Sequence, residues 1–133
     1  MTTNPAASSA PTAVITGGSR GLGFEVARGL AAQGYHLALI AKDSQRLSEA
    51  AAKLTSEFPG CTVSTFPIDF EVTTSAAIES ARKGLENVKN AIGAPAALVI
   101  SHAVMSEKMS KTLRTTDEEW RRVLSINLDS TFM

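Results

Sequence analysis

Ala13-Val14-Ile15-Thr16-Gly17-Gly18-Ser19-Arg20-Gly21-Leu22-Gly23 is the stretch on which the reading of this chain turns. A short β-branched run breaks into glycines, and a helical pattern begins directly after them. Gly17 permits a tight turn, Gly21 lets the backbone come close to a pyrophosphate, and Gly23 allows the helix to pack closely on the strand. Amide groups at a helix start face outward, and the aligned peptide dipoles favour negative charge there. A strand before and a helix after are the context a phosphate-binding glycine turn requires, and both are present. The competing reading is a glycine-rich turn with no ligand.

Outward from this turn, short apolar runs alternate with stretches of helical period. Ala13 to Thr16 reads as the first strand. Gly21 to Gln33 reads as a helix with Leu22, Val26, Ala27 and Leu30 inward, stopped by Gly34. Leu37 to Ile40 is a second strand. Ser44 to Phe58 is a helix facing inward through Leu47, Ala50, Ala51 and Leu54, and Thr62 to Phe66 is a third strand. Ser75 to Ile92 is a long helix holding Gly84 at a cost of about 1 kcal/mol relative to Ala. Ala96 to Ser101 is a fourth strand, and Ser106 to Thr115 a polar loop. Thr116 and Glu119 form a capping box that opens a helix carrying Trp120, Val123, Leu124 and Leu128 inward, still running at Met133.

Strands apolar on both faces and separated by helices imply a parallel sheet covered on both sides. The expected fold is α/β, a Rossmann-like doubly wound parallel sheet in strand order 3-2-1-4, truncated after the fourth strand and part of the following helix. Residues 1–11 are expected to be a disordered tail, and residues 12–133 a partial NAD(P)-binding Rossmann domain.

Composition removes several classes of function. The 133 residues carry 13 Lys+Arg and 13 Asp+Glu, so the excess cation that nucleic acid demands is missing. With 44% hydrophobic and 20% charged residues, wholesale disorder is not expected. A single cysteine, Cys61, leaves no internal disulfide, and His36 and His102 are not at metal-binding spacing, so no metal site is expected. No apolar run approaches the roughly 20 residues of a membrane span, and no basic or apolar leader opens the chain. A cytoplasmic location is the default, with an organelle lumen as the alternative.

The glycine spacing is T-G-x-x-x-G-x-G from Thr16 to Gly23. Three further segments follow in order: Asp69 after the third strand, Ala97 to Ser101 with its turn, and the Glu119-Trp120 helix running into Ser125-Ile126-Asn127-Leu128. Across residues 12–133 this set resembles the short-chain dehydrogenase/reductase family, and within it most of all the 3-oxoacyl-[acyl-carrier-protein] reductase and carbonyl reductase branch. The resemblance implies an oxidoreductase that moves a hydride between a nicotinamide cofactor and a small-molecule carbonyl or alcohol. It implies cofactor contacts at Thr16, Gly17, Ser19, Arg20, Gly21, Leu22, Gly23 and Ala103, with Asp69 hydrogen-bonding the adenine amino group; a turn cap is the competing role for Asp69. It also implies support of a water-mediated proton relay by Asn127, and self-association as family members commonly show. The family's catalytic serine, tyrosine and lysine would fall after Met133. Tyr35 does not replace them, since Leu39 rather than lysine stands four residues on.

Charge then bears on the choice of cofactor. NAD(H) calls for a carboxylate at the end of the second strand, to accept from the ribose hydroxyls. Ala41 stands there, followed by Lys42, and Arg20 lies in the glycine turn. Two cations without a well-placed acid favour NADP(H) over NAD(H), with Asp43 read as a helix cap. One departure from the family lies after the fourth strand, where Asn-Asn-Ala-Gly is replaced by Ser101-His102-Ala103-Val104. Val104 puts a branched side chain where the ribose passes, and His102 reads as a hydrogen-bonded structural residue. Cys61 has no activating cation beside it and reads as structural. The fourth strand is expected to be an open apolar edge, which makes the chain by itself marginally stable, or completed by a partner or by further sequence. The rival functional reading is a non-catalytic nucleotide-binding or interaction module from a shortened gene product.

Overall fold

The strand runs alternate between two apolar faces, and each face recruits its own helices. The computed structural model describes residues 10–106 and 114–133. Along the chain lie β1 (Thr12–Thr16), α1 (Gly21–Ala32), β2 (His36–Ala41), α2 (Ser44–Glu57), β3 (Val63–Pro67), α3 (Ser75–Ile92), β4 (Ala97–Ile100) and α4 (Asp117–Asn127). A 3-10 turn, Asp129–Phe132, follows α4. All strand pairs are parallel, in the order β3-β2-β1-β4. This is the doubly wound, Rossmann-like arrangement expected. Ile15, Leu37 and Leu39 pack against Phe24 and Ala27 of α1 and Leu47 and Leu54 of α2. Val14, Ala38 and Ile40 pack with Ile68, Phe70 and the α3 residues Ala81 and Val88 on the other side. Because both faces are covered, the central strands read as continuous apolar runs.

Local chemistry sets the boundaries. Gly34, at φ +85°, takes the left-handed position after α1, so that its amide reaches Ala31 O and the Tyr35 amide reaches Leu30 O. Asp43 Oδ1 accepts from Arg46 N at 3.0 Å, which makes it the α2 cap as expected. Thr116 Oγ1 accepts from Glu119 N at 3.2 Å and starts α4. Gly84 is placed by packing, since a Cβ there would lie 2.9 Å from Ile68 Cγ1.

Several expectations are corrected. Leu22 and Val26 are 82% and 40% exposed; α1 instead buries Gly23, Phe24, Ala27 and Ala31, a narrower stripe whose small residues bring the helix close to the sheet. Helix α4 does not run on to Met133 but closes at Asn127, where the Leu128 amide bonds to Leu124 O. It buries Ser125 and Ile126, while Trp120 and Leu128 are 59% and 51% exposed. Of the expected tail, residues 1–9 lie outside the described residues, and Pro11 already accepts from His36 N at 2.9 Å. Residues 107–113 of the expected loop also lie outside them. Strand β4 stands at the sheet edge: Ala97 and Val99 pack on the first core, whereas Leu98 and Ile100 are 61% and 49% exposed.

Candidate functional site

Parallel strands all end on one side, so the turns leaving β1, β2, β3 and β4 converge there. They enclose a cavity of about 720 Å³, within the range of small-molecule sites. Its lining joins the turn Gly17–Gly21, the Ala41–Asp43 corner, the segment 68–71 and the segment 101–104, with Arg46, Arg122 and Ile126 at the sides.

Two glycines form the floor of the turn. Gly17, at φ +68°, donates its amide to Ile40 O at 2.7 Å, and a Cβ on it would lie 2.8 Å from the Ser101 carbonyl and the His102 amide. Its bareness therefore lets β4 and β1 end side by side. A Cβ on Gly23 would overlap the Gly17 carbonyl oxygen, so α1 rests on the turn itself. Gly21, at φ +57°, faces open space.

Of the residues expected to contact the cofactor, Gly17, Ser19, Arg20, Gly21, Lys42, Asp69 and Ala103 line the cavity. Thr16, Leu22 and Gly23 do not. Thr16 is buried at the end of β1, and its Oγ1 accepts from Ser101 N at 3.1 Å and meets His102 Nδ1 at 2.7 Å. His102 Nε2 lies 2.7 Å from Ser130 Oγ and 3.1 Å from Ile126 O. The Ser130 hydroxyl donates to Ile126 O at 2.8 Å, which leaves its oxygen free to accept. Hydrogen-bond bookkeeping thus assigns the proton to Nε2, with Nδ1 accepting from the Thr16 hydroxyl. The ring stacks on Phe70 at 4.3 Å, and burial pushes its pKa below the ordinary histidine value. His102 is the hydrogen-bonded structural residue read from the sequence, and it ties β1 to the end of α4.

Asn127 does not itself line the cavity but holds Val104, which does. Its Oδ1 accepts from Val104 N at 2.8 Å and its Nδ2 donates to Val104 O at 2.9 Å, so both ends of the amide grip one peptide residue.

Four cationic and three acidic side chains line the cavity. Lys42 Nζ lies 2.7 Å from Asp69 Oδ2, and Asp69 Oδ1 accepts from Glu71 N at 3.0 Å. Arg122 pairs with Glu71 at 3.5 Å, and Arg46 with Asp43 at 3.5 Å. The Lys42 pKa is raised by its hydrogen bond to Asp69 and then by that residue's charge. For Asp69, burial pushes upward, but the Lys42 bond, the Glu71 amide and the charges of Lys42 and Arg122 bring the carboxyl below its usual range. Sequence reasoning missed Arg46, Phe70, Glu71 and Arg122. Arg46 carried a signal, standing three residues past the Asp43 cap and so on the first turn nearest the strand ends; Arg122 reaches the cavity only through the placement of α4.

The arrangement fits a dinucleotide: a bare turn with left-handed glycines, outward amides at the start of α1, and cations at the β2 corner. Cys61 is remote from it, donating Sγ–H to Tyr35 O at 3.2 Å, and burial pushes its thiol pKa up. Among the described residues no group of three or more His, Cys, Asp or Glu is placed to hold a metal ion. Among them, too, no helix is long and apolar enough to cross a membrane.

The short chain dehydrogenase family profile matches residues 11–133. Galactitol 2-dehydrogenase (L-tagatose-forming) of Cereibacter sphaeroides is 30% identical over 120 residues, 90% of this chain and 42% of that protein. Among solved structures, the alcohol dehydrogenase of the archaeon Thermococcus sibiricus, complexed with 5-hydroxy-NADP, superposes with TM-score 0.80 at 30% identity. That match covers 93% of this chain and 49% of the other. The 3-oxoacyl-[acyl-carrier protein] reductase of Brucella melitensis, in complex with NAD, gives TM-score 0.79 at 28% identity, over 92% and 45%. The chain spans less than half the length of the curated relatives it matches.

Proposed function

Because the chain belongs to the short chain dehydrogenase family, an oxidoreductase family, we propose that it forms the NADP(H)-binding part of an enzyme interconverting a small carbonyl and its alcohol. The observation that carries this is the Gly17–Gly21 turn opening into a cavity whose β2 corner presents Ala41 and then Lys42, where NAD(H) would call for a carboxylate at the strand end. In this reading the amides from Ser19 to Leu22 hold the pyrophosphate, those of Gly17 and Gly18 being bound to Ile40 O, with Gly23 letting α1 close on the turn. Arg20 and Lys42 hold the 2′-phosphate, and Asp69 meets the adenine edge. Thr16 acts indirectly, by fixing the start of the turn to His102. Ala103 and Val104 lie along the ribose path, and Asn127 keeps their backbone in place. The bound nicotinamide supplies the hydride chemistry. Asn127 serves the proton relay through the backbone it positions, since both ends of its amide are engaged by Val104.

The relatives support nicotinamide-dinucleotide binding, since one solved neighbour carries an NADP derivative and another NAD; the NADP(H) preference rests on Arg20 and Lys42. Self-association is expected from the chain's exposed apolar residues. NADPH and NADH fluorescence titrations test the proposal. Tighter binding of NADPH is expected; equal affinities would remove the NADP(H) preference, and no binding of either at millimolar concentration would remove the site. Carbonyl-dependent consumption of NADPH tests turnover.

A further inference from the structure

Two residues with separate duties in the proposed site meet each other instead. Lys42 Nζ and Asp69 Oδ2 are 2.7 Å apart, although one is assigned to a phosphate and the other to an adenine amino group. The carboxylate is oriented for this, because its other oxygen is held by the Glu71 amide. The nearby charges have partners of their own: Arg122 lies against Glu71 and Glu119, and Arg46 against Asp43. Arg20 lines the same cavity, and no ion pair is formed by it among the described residues. Of the two cations assigned to the 2′-phosphate, one is thus available at once and the other carries a counter-ion.

We infer that Asp69 is a specificity-determining residue that restrains Lys42, so that the cavity takes the 2′-phosphate of NADP(H) only by drawing the lysine away from its carboxylate partner. This rests on the cofactor reading above. The Lys42 and Asp69 side chains are 71% and 49% exposed, so the pair is wet and weak enough for a phosphate dianion to compete with it. NADH, with a neutral 2′-hydroxyl, leaves the pair intact. Asp69 therefore lowers the discrimination between the two nucleotides that Lys42 would otherwise give. An adenine contact by Asp69 adds equally to both nucleotides and cancels in their ratio.

The test is the ratio of NADPH to NADH affinities, by fluorescence titration of the full chain. Asp69→Asn keeps the acceptor for the Glu71 amide and removes the charge, and should raise the ratio about two- to five-fold, the size of an exposed ion pair. Asp69→Ser, which also keeps an acceptor, should do the same and stands in should the asparagine variant fail to fold. In a Lys42→Gln background the same change should leave the ratio where it is. An unchanged or lowered ratio in a folded Asp69 variant, or a rise that persists without Lys42, overturns the inference. A wild-type chain that binds neither nucleotide refutes the cofactor reading, whereas binding of both with a ratio indifferent to Asp69 refutes this inference alone.

Discussion

A histidine ring bridging two elements has consequences in acid. His102 is neutral in the fold, accepting from Thr16 and donating toward Ser130 and Ile126. Burial lowers its pKa below the unfolded value of 6.5, so the unfolded chain binds the extra proton more readily. Its contribution to stability is therefore complete above about pH 6.5 and is lost as the pH falls through that value toward the lowered folded pKa. Urea unfolding at pH 7.5 and 5.5 should show a loss of stability that His102→Asn reduces; an undiminished loss in the variant would place the titration elsewhere. Asn127→Ala makes a second prediction at this scale. It takes both partners from the Val104 backbone, and since the site is exposed and water can substitute, stability should fall by only about 1 kcal/mol. NADPH affinity and the exchange rate of the Val104 amide should change more clearly than the melting temperature. That His102 is a hydrogen-bonded residue was read from the sequence on its residue type alone, and its contacts bear this out. Its partners Ser130 and Ile126 were not legible there, because the pattern carried α4 straight through them.

At the scale of elements, the glycine turn and the helix above it behave as one piece. Gly23→Ala drives a methyl into the Gly17 carbonyl oxygen, which belongs to backbone and has no rotamer to escape into. A loss of about 1–3 kcal/mol is expected, with weaker nucleotide binding, read by denaturant unfolding and fluorescence titration. Strand order, direction and the four helices were legible because runs of two-sided apolar character admit few arrangements other than a covered parallel sheet. The inward face of α1 was not. Leu22 and Val26 look like core residues by hydropathy, but the helix sits so close to the sheet that only the Phe24–Ala27–Ala31 stripe is covered. Trp120 misled in the same way, its bulk suggesting burial where Ser125 and Ile126 lie instead.

For the whole molecule, the two sheet faces are unequal. Strand β4 is paired on one side only, and Leu98 and Ile100 point from it into solvent. Apolar residues on an unpaired edge favour association with another strand or surface. Light scattering of the chain should show size increasing with concentration, and Leu98→Lys should suppress the increase without altering NADPH affinity, since Leu98 lies away from the cavity lining. A monomer at every concentration would show that the edge is already protected. The cavity itself was only half legible. Its glycines and Lys42 announce themselves in one dimension, whereas Arg122 and Phe70 arrive from segments whose placement depends on the finished sheet.

One practical corollary comes from the strands all running in the same direction. The residues assigned to the ligand gather at one rim, and the turn at Gly60, between α2 and β3, lies at the other. A side chain built on Gly60 meets nothing within 4 Å and needs no unusual backbone angle. A dye or surface tether grafted there sits a strand's length from the chemistry, roughly 16 Å for five residues, and gives experimenters a handle that leaves binding untouched.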